Sequence, residues 1–306
     1  MLSSEPIVEC VPNFSEGTDV HVVREIVHSM QVFGVSLLDW SMDAAHNRSV
    51  ATIAGPPDAV AEAAVRAVCK AAESIDLTKQ AGVHPRIGAA DVIPFVPVRN
   101  YTLAQSAALA RGAAMSVWRR SGVPVYLYEA AATRPDRVKL EDVRRGQFEG
   151  LREEVKRDSA RWPDVGGPEL HATAGASAIG ARRFLVAYNL FFDKGDIGTG
   201  RAIAKKIRAA DGGLAGVKAL GVIADGRLQL SMNITDIQAM PMTRVYARAE
   251  ELAQQYGVKI VEAELIGLIP EAIYAPDANW IRPIQQFDPD EKVLERRLEA
   301  PLAWPM

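Results

Sequence analysis

The residue best suited to chemistry in this sequence is His84, in the loop AGVHPRIGAAD at 81–91. Glycines on both sides give the loop backbone freedom, and loops on rigid scaffolds carry function disproportionately. Pro85 favours extended backbone at His84 and so fixes the direction of the imidazole. An imidazole titrates near ~6.5, so one histidine can both accept and return a proton near neutral pH. The pattern predicts a general acid/base at His84.

Three aspartates, Asp39, Asp43 and Asp91, lie at the edges of predicted strands and could orient that imidazole. The same positions also suit caps of hairpins and strand ends, so both interpretations stay open. A zinc site built from His46, His84 and an aspartate is a competing hypothesis. No histidines in the sequence have the H-x-x-x-H or H-x-x-E-H spacing of such sites, so the metal signal is weak.

The composition disfavours several classes of protein. The chain has 306 residues, 48% hydrophobic and 24% charged, which is typical of one large or two medium globular domains. Lys and Arg number 35 against 38 Asp and Glu, a net charge of −3 that offers no general attraction to nucleic acid or anionic membranes. The only cysteines, Cys10 and Cys69, are compatible with a reducing compartment. With no signal-peptide pattern and no long apolar run, we expect a soluble cytoplasmic protein.

Hydrophobic periodicity predicts a β-α-β-β-α-β order in the first half of the chain. Strands are expected at residues 7–13 and from 35, 48 and 91, and helices at 21–30 and from 58. This is the order of a ferredoxin-like unit. A helix at 102–120 and a strand from 123 follow, and the charged stretch 139–158 is expected to be a solvated helical face.

The same order recurs after a segment rich in Gly, Ala and Pro at 162–181, for which no regular structure is predicted. The second set comprises a strand from 183, a helix from 196, a hairpin at 217–235, a helix from 242 and a strand from 258. We therefore predict an α+β fold of two ferredoxin-like (βαββαβ) subdomains, residues 1–180 and 181–306, with a cleft between them. Clefts at domain interfaces are favoured ligand sites.

Several motifs carry a family resemblance. They are VECVPNFSEG at 8–17, HNRSVATIAGPP at 46–57, GVHPRIGAADVIPFVPV at 82–98, VPVYLYEAA at 123–131 and GASAIGARRFLVAYN at 175–189. Together they resemble the glutamate formiminotransferase (glutamate formimidoyltransferase) family, folate-dependent enzymes of histidine degradation. The resemblance implies transfer of a formimino group from N-formimino-L-glutamate to N5 of tetrahydrofolate, giving L-glutamate and 5-formiminotetrahydrofolate. Animal members are fused to a cyclodeaminase, and we expect this chain to be free-standing.

The resemblance also implies site residues. The catalytic histidine of the family falls on His84, and tetrahydrofolate, the acceptor co-substrate, is expected along 167–175. That segment comprises Gly167, Pro168, Glu169, Leu170, His171, Ala172, Thr173, Ala174 and Gly175. It departs from relatives that carry a bulkier version with Ser and Trp, and Ser41 stands where some relatives have Asp. Formiminoglutamate is expected to be bound by Asp39, Asn47, Arg48 and Arg86, with Arg182 and Arg183 as further cations for carboxylates.

The chemistry fits these residues. A formimino group is an amidine, and its protonated carbon is electrophilic without a metal, so no metal is expected. Attack by N5 requires a base to remove the proton from N5 and an acid to protonate the departing glutamate nitrogen, and His84 could do both in sequence. The family resemblance further implies a homodimer. Two alternatives remain: a non-catalytic folate-binding regulatory module, since fold alone does not fix function, and a metal-dependent formiminoglutamate hydrolase.

Overall fold

The computed structural model describes residues 5–82, 84–224 and 226–306. The chain divides into two units: one runs to Arg182 and includes Pro301–Met306, and the other is Arg183–Ala300. The predicted boundary was residue 180, with the whole C-terminal tail in the second half. The tail instead returns to the first unit, where the backbone N–H of Leu302 donates to the carbonyl of Leu37 at 2.8 Å.

The first unit contains a mixed sheet and the helices that cover it. Its elements are β1 (Ile7–Cys10), β2 (Asn13–Phe14), α1 (Val20–Ser29), β3 (Ser36–Asp43), β4 (Arg48–Gly55), α2 (Pro57–Ser74), β5 (Ala90–Arg99), α3 (Leu103–Ser121), β6 (Val125–Glu129), α4 (Leu140–Val143), α5 (Gln147–Glu154) and β7 (Ser177–Ala181).

The strands β3, β4, β1 with β2, and β5 are antiparallel neighbours in that order. In chain order they are the second, third, first and fourth strands, which is the ferredoxin-like arrangement and confirms the predicted fold class. The predicted first strand at 7–13 is interrupted between Cys10 and Asn13. Pro12 lies in this gap and has no N–H to donate to a ladder.

One face of this sheet packs on α1, α2 and α3 around the main core. The inward side of α2 consists mostly of alanines and valines, among them Ala63, Ala67 and Ala71, each less than 1% exposed. Small side chains allow the helix to lie close to the strands, where Ile53 and Phe95 are fully buried. Pro57 begins α2 in the first helical position, which needs no N–H donor.

The opposite face is covered by α4 and α5, which come from the stretch predicted to be a solvated helix. Most of its charged residues are exposed, as predicted, but the stretch is not one helix: Gly146, with φ of 84°, separates two short helices. Their apolar side chains Val143 and Leu151 are fully buried in a cluster with Tyr126 and Tyr128 of β6. Charged residues of both signs far outnumber the few apolar residues that contact the sheet, so the sequence pattern does not indicate that this stretch is partly buried.

β7 was not predicted, yet it lies between β5 and β6 and runs parallel to both. Its five residues, Ser-Ala-Ile-Gly-Ala, are all buried. Ala, Gly and Ser have little preference for strands, so the sequence pattern carries no signal there. The small side chains are required by packing, because a Cβ at Gly180 would lie 2.5 Å from the Tyr128 ring and 2.5 Å from its carbonyl oxygen.

The second unit repeats the ferredoxin-like order. Its elements are β8 (Val186–Phe192), α6 (Ile197–Ile207), β9 (Val217–Ala224), β10 (Arg227–Ile234), α7 (Met242–Gln255), β11 (Ile260–Ile266), α8 (Pro289–Lys292) and α9 (Leu294–Glu299). The antiparallel sheet has the order β11-β8-β10-β9. Tyr188 and Trp280 are almost fully buried in its separate core, with ring centroids 5.9 Å apart. Among the described residues, no helix is long and apolar enough to cross a membrane.

The close approach at Gly180 yields a stability prediction. Gly180→Ala forces a methyl group against the ring and backbone of Tyr128, and we expect it to lower the free energy of unfolding by about 1–3 kcal/mol. Gly112→Ala is the matched control, because Gly112 lies inside α3 with no atom within 4 Å of its added Cβ, and it should gain about 0.5–1 kcal/mol. Urea unfolding followed by tryptophan fluorescence measures both. Equal stability of Gly180→Ala and the parent would contradict this packing.

Candidate active site

Two histidines meet at one edge of the first unit. His84 lies in the connection between α2 and β5, and His46 lies in the turn between β3 and β4. Their ring centroids are 6.3 Å apart with an interplanar angle of 66°. Asp43, the last residue of β3, accepts from the His46 backbone N–H at 3.0 Å and lies 2.6 Å from its Nδ1. The hairpin therefore presents a carboxylate–imidazole pair next to His84.

His84 is half-buried, and its Nε2 is buried with no hydrogen-bond partner among the described residues. Burial, reinforced by the positive charges of Arg48 and Arg144 and by His46, lowers the pKa of His84 far below its ordinary value. The imidazole is therefore neutral near pH 7 and has an open acceptor or donor nitrogen. Leaving such an atom unpaired costs about 1–3 kcal/mol, which is tolerated where a ligand supplies the partner.

The arginines are held by Asp91, whose side chain is fully buried. Its carboxylate accepts from Arg48 Nη1 at 3.2 Å, from Arg144 Nη2, and from the backbone N–H of Ile87 at 2.9 Å. Arg48 also donates to Asn13 Oδ1 from Nε at 3.1 Å and from Nη2 at 2.6 Å. Burial and the charge of Arg144 lower the pKa of Arg48 to about 10, so it remains charged at neutral pH. Two guanidinium groups share one carboxylate and leave a surplus positive charge beside His84.

Arg144 was missed by sequence analysis. It directly follows α4, in the charged stretch that was expected to face solvent. Its side chain is 12% exposed. In the sequence Arg144 stands in a stretch of mixed charges, and nothing there distinguishes it from exposed neighbours such as Arg145.

Asn47, predicted to bind substrate, joins the two loops of the site. Its Oδ1 accepts from the Gly17 backbone N–H at 2.9 Å, and its Nδ2 donates to the Ala81 carbonyl at 2.9 Å and to Gln80 Oε1. Gln80 in turn donates to Glu16 Oε2 at 2.7 Å. The backbone of Asn47 has a positive φ of 49°, which Asn tolerates better than most residues. This network fixes the position of the hairpin turn relative to the His84 loop.

Arg86, also predicted to bind substrate, is 8% exposed and uses its guanidinium within the protein. Its Nη2 donates to Glu149 Oε1 on α5 at 3.0 Å and to the carbonyl of Gln80 at 2.8 Å. The side chain therefore links the His84 loop to α5. Asp39 lies inside β3, opposite Thr52 of β4, and Asp43, at the end of the same strand, contacts His46.

The predicted folate segment is attached to the end of the His84 loop. Ala89 N–H donates to the Ala174 carbonyl and Ala176 N–H to the Ile87 carbonyl, both at 2.9 Å. His171 Nδ1 accepts from the backbone N–H of Ala174 at 3.0 Å, so its Nε2 carries the proton. The first residues of the segment, Gly167 to His171, line a pocket of about 300 Å³ together with Trp118 and Gly122.

The described part of the chain contains no group of three His, Cys, Asp or Glu side chains placed to hold a metal ion. The competing zinc hypothesis named His46, His84 and an aspartate. In the structure Asp43 contacts His46, and Asp91 is directed at two arginines.

Comparison with known proteins gives matches over nearly the whole chain. Residues 7–182 match the family "Formiminotransferase domain, N-terminal subdomain", and residues 187–298 match "Formiminotransferase domain". The chain is 41% identical to a glutamate formimidoyltransferase of Streptococcus pyogenes serotype M1, over 95% of this chain and 98% of the relative. It is 41% identical to a glutamate formimidoyltransferase of Thermoplasma acidophilum, over 96% and 97% of the two chains. It is 36% identical to a formimidoyltransferase-cyclodeaminase of Rattus norvegicus, over 86% of this chain and 50% of that longer protein.

The buried carboxylate yields a second prediction. Asp91→Asn leaves two buried or nearly buried guanidinium groups without their charge partner, and we expect a loss of about 3–5 kcal/mol in the free energy of unfolding. Glu153→Gln is the matched control, because the Glu153–Lys156 pair is exposed and screened by solvent, so its loss should change stability little. Urea unfolding of the two variants compares them. A loss at Asp91 no larger than at Glu153 would show that the arginines do not depend on it.

The lowered pKa of His84 predicts a pH dependence of stability. Above about pH 6.5 the imidazole is neutral in both the folded and the unfolded chain, whereas below it only the unfolded chain binds the proton. Stability should therefore fall on acidification. Between pH 7.5 and 5.0 the parent should lose about 2 kcal/mol more than His84→Gln, which has no titrating ring. Urea unfolding at the two pH values measures the difference, and parallel losses in both proteins would contradict a neutral, buried His84.

Proposed function

Because the chain belongs to the formiminotransferase family, we propose that it transfers the formimino group of N-formimino-L-glutamate to N5 of tetrahydrofolate, with His84 as general acid/base. The observation that carries this assignment is the buried, unpartnered Nε2 of His84 beside Arg48 and Arg144. Tetrahydrofolate is the acceptor co-substrate, and the products are L-glutamate and 5-formiminotetrahydrofolate.

The state of His84 suits the first half of the reaction. N5 of tetrahydrofolate attacks the amidinium carbon, and the new C–N bond leaves N5 positively charged. The intermediate cannot proceed until that proton is removed. A neutral imidazole with a free nitrogen, as His84 has, can accept it, and general acid/base catalysis of this kind contributes about 10²–10⁴-fold to a rate.

The surplus positive charge around His84 suits both substrates. Formiminoglutamate carries two carboxylates and the glutamate tail of folate carries more, so Arg48 and Arg144 attract them. Bound carboxylates also offset the two positive charges that lower the pKa of His84. The imidazole consequently becomes a stronger base when substrate is present. Asp39, Asn47, Arg48 and Arg86 remain the proposed residues for formiminoglutamate, with Asn47 and Arg86 contributing mainly by fixing the loops.

For the folate we propose the segment 167–175. It is hydrogen-bonded to the His84 loop, so a pterin bound along it lies near the acid/base. The pocket next to Gly167 to His171 also contains Trp118, whose aromatic ring offers a surface for stacking. All these residues belong to the first unit. Holding two substrates together in this way can supply up to about 7–11 kcal/mol of the barrier reduction.

Three further expectations stay predictions. The amidinium is electrophilic by itself, so the proposed reaction uses no metal. The resemblance to the family implies a homodimer, which sedimentation of the purified chain tests. A cytoplasmic location is proposed from the sequence and from the metabolic role of the family.

The proposed function is tested with formiminoglutamate and tetrahydrofolate as substrates. We expect turnover by the parent and a fall in kcat of about 10²–10⁴-fold in His84→Gln, because the proton on N5 then has no acceptor. His21→Gln is the matched control: His21 is exposed on α1, and its loss should leave kcat within about twofold of the parent. Formation of 5-formiminotetrahydrofolate is followed by absorbance.

The other outcomes point to the alternatives. Tight folate binding without any transfer by the parent would support a binding module. Release of glutamate without tetrahydrofolate, abolished by chelation, would support a metal-dependent hydrolase. Full activity of His84→Gln would remove His84 from the mechanism.

A further inference from the structure

A second histidine lies beside His84 and has the geometry of a supported acid or base. His46 Nδ1 is 2.6 Å from Asp43 Oδ2, and the His46 side chain is only 19% exposed. Burial alone would raise the pKa of Asp43, but hydrogen bonds from the His46 backbone and ring outweigh it and lower that pKa. Asp43 is therefore ionised at neutral pH and can only accept, which places the Nδ1 proton on His46. The other nitrogen of His46, Nε2, remains for chemistry.

The reaction requires a proton at two different nitrogens. One proton leaves N5 when the tetrahedral intermediate forms, and one must reach the glutamate nitrogen when the old C–N bond breaks. Burial and the nearby positive charges keep His84 neutral, so its nitrogen is open to accept the first proton but does not hold another in reserve. The contact with Asp43 holds the His46 ring in place and puts a negative charge beside it, which suits a proton donor.

We propose that His46, positioned by Asp43, is the proton donor to the departing glutamate nitrogen, and that His84 and His46 divide the base and acid roles. This inference rests on the proposed function. It concerns a residue that the resemblance and the comparisons did not single out, and it depends on the carboxylate–imidazole pair and on the 6.3 Å separation of the two rings.

The step balances as follows. N5 forms a bond to the amidinium carbon, and His84 Nε2 takes the proton from N5. The lone pair of the formimino nitrogen then restores the C=N bond, the bond to glutamate breaks, and its electron pair takes the Nε2 proton of His46. His84 is left protonated and His46 neutral. Transfer of one proton from His84 to His46, over the short distance between the rings or through water, restores the starting state.

Charged side chains from several neighbouring segments surround His46 and His84. Asp43 lies at the end of β3, Arg48 at the start of β4, Arg144 after α4 and Asp91 in β5. Glu16 reaches Asn47 through Gln80, on the other side of the turn. Asp91 accepts hydrogen bonds from the arginines. Glu16 accepts from the Thr18 backbone and the Gln80 side chain. Asp43 is the carboxylate that contacts His46.

The test compares His46→Gln, Asp43→Asn and His84→Gln with the parent and with His21→Gln. For formiminoglutamate we expect kcat of His46→Gln to fall at least about tenfold at neutral pH, with KM for both substrates within about twofold. In Asp43→Asn kcat should fall by a smaller factor than in His46→Gln, again with KM within about twofold, because the imidazole is still present but is no longer held by the carboxylate.

A second formimino donor distinguishes loss of the acid from loss of the base. The formimidate ester of 4-hydroxybenzoate releases a phenol with a pKa of about 10, which can leave as the phenolate anion without taking up a proton. With this donor the defect of His46→Gln should shrink to less than about threefold, whereas that of His84→Gln should persist. Thermal unfolding of His46→Gln close to that of the parent confirms that the fold is intact.

The outcomes are distinct. No transfer by the parent contradicts the proposed function itself. An active parent with an unchanged kcat in His46→Gln overturns the role of His46 alone. A defect in His46→Gln that appears only in KM, or that is equally large with the phenol-releasing donor, also overturns it, because binding or positioning would then explain the loss.

Discussion

The site depends on one buried carboxylate. Asp91 is fully enclosed, yet it holds two guanidinium groups from distant parts of the sequence and the backbone N–H of Ile87 near the end of the His84 loop. A single negative charge fixes both arginines without neutralising them. The same interaction thus sets the geometry of the loop and places the two positive charges that, together with burial, keep His84 neutral.

Sequence patterns predict those parts of the site that local chemistry determines. His84 is recognisable because glycines and a proline surround it, and Asp43 because it ends a strand next to a turn. Arg144 could not be found in this way, since its partner Asp91 lies far away in the sequence and its neighbours are exposed charges. The resemblance implies Asn47 as a substrate residue, and the sequence does not show the hydrogen bonds by which its side chain also joins Gly17, Gln80 and Ala81.

The fold, too, could be predicted from the sequence only where local patterns determine it. Runs of β-branched and other apolar residues and helical periodicity locate the ferredoxin-like strands and helices of both units. β7 could not be predicted in this way, because it is fully buried and consists of small residues with little preference for strands. Gly180 of β7 has to be small because the ring of Tyr128 lies against it. Tyr128 is distant in the sequence, so a short stretch of sequence does not show this requirement.

The electrostatics of the site connect substrate binding to base strength. Burial and the positive charges of Arg48 and Arg144 hold the pKa of His84 low, so a proton from solvent does not occupy its nitrogen. In the proposed reaction, bound carboxylates would offset those charges and increase the proton affinity of His84 when N5 loses its proton. The proton for the departing glutamate nitrogen must then come from another group. The carboxylate contact of His46 and the 6.3 Å separation of the two rings are the observations that favour His46 for this role.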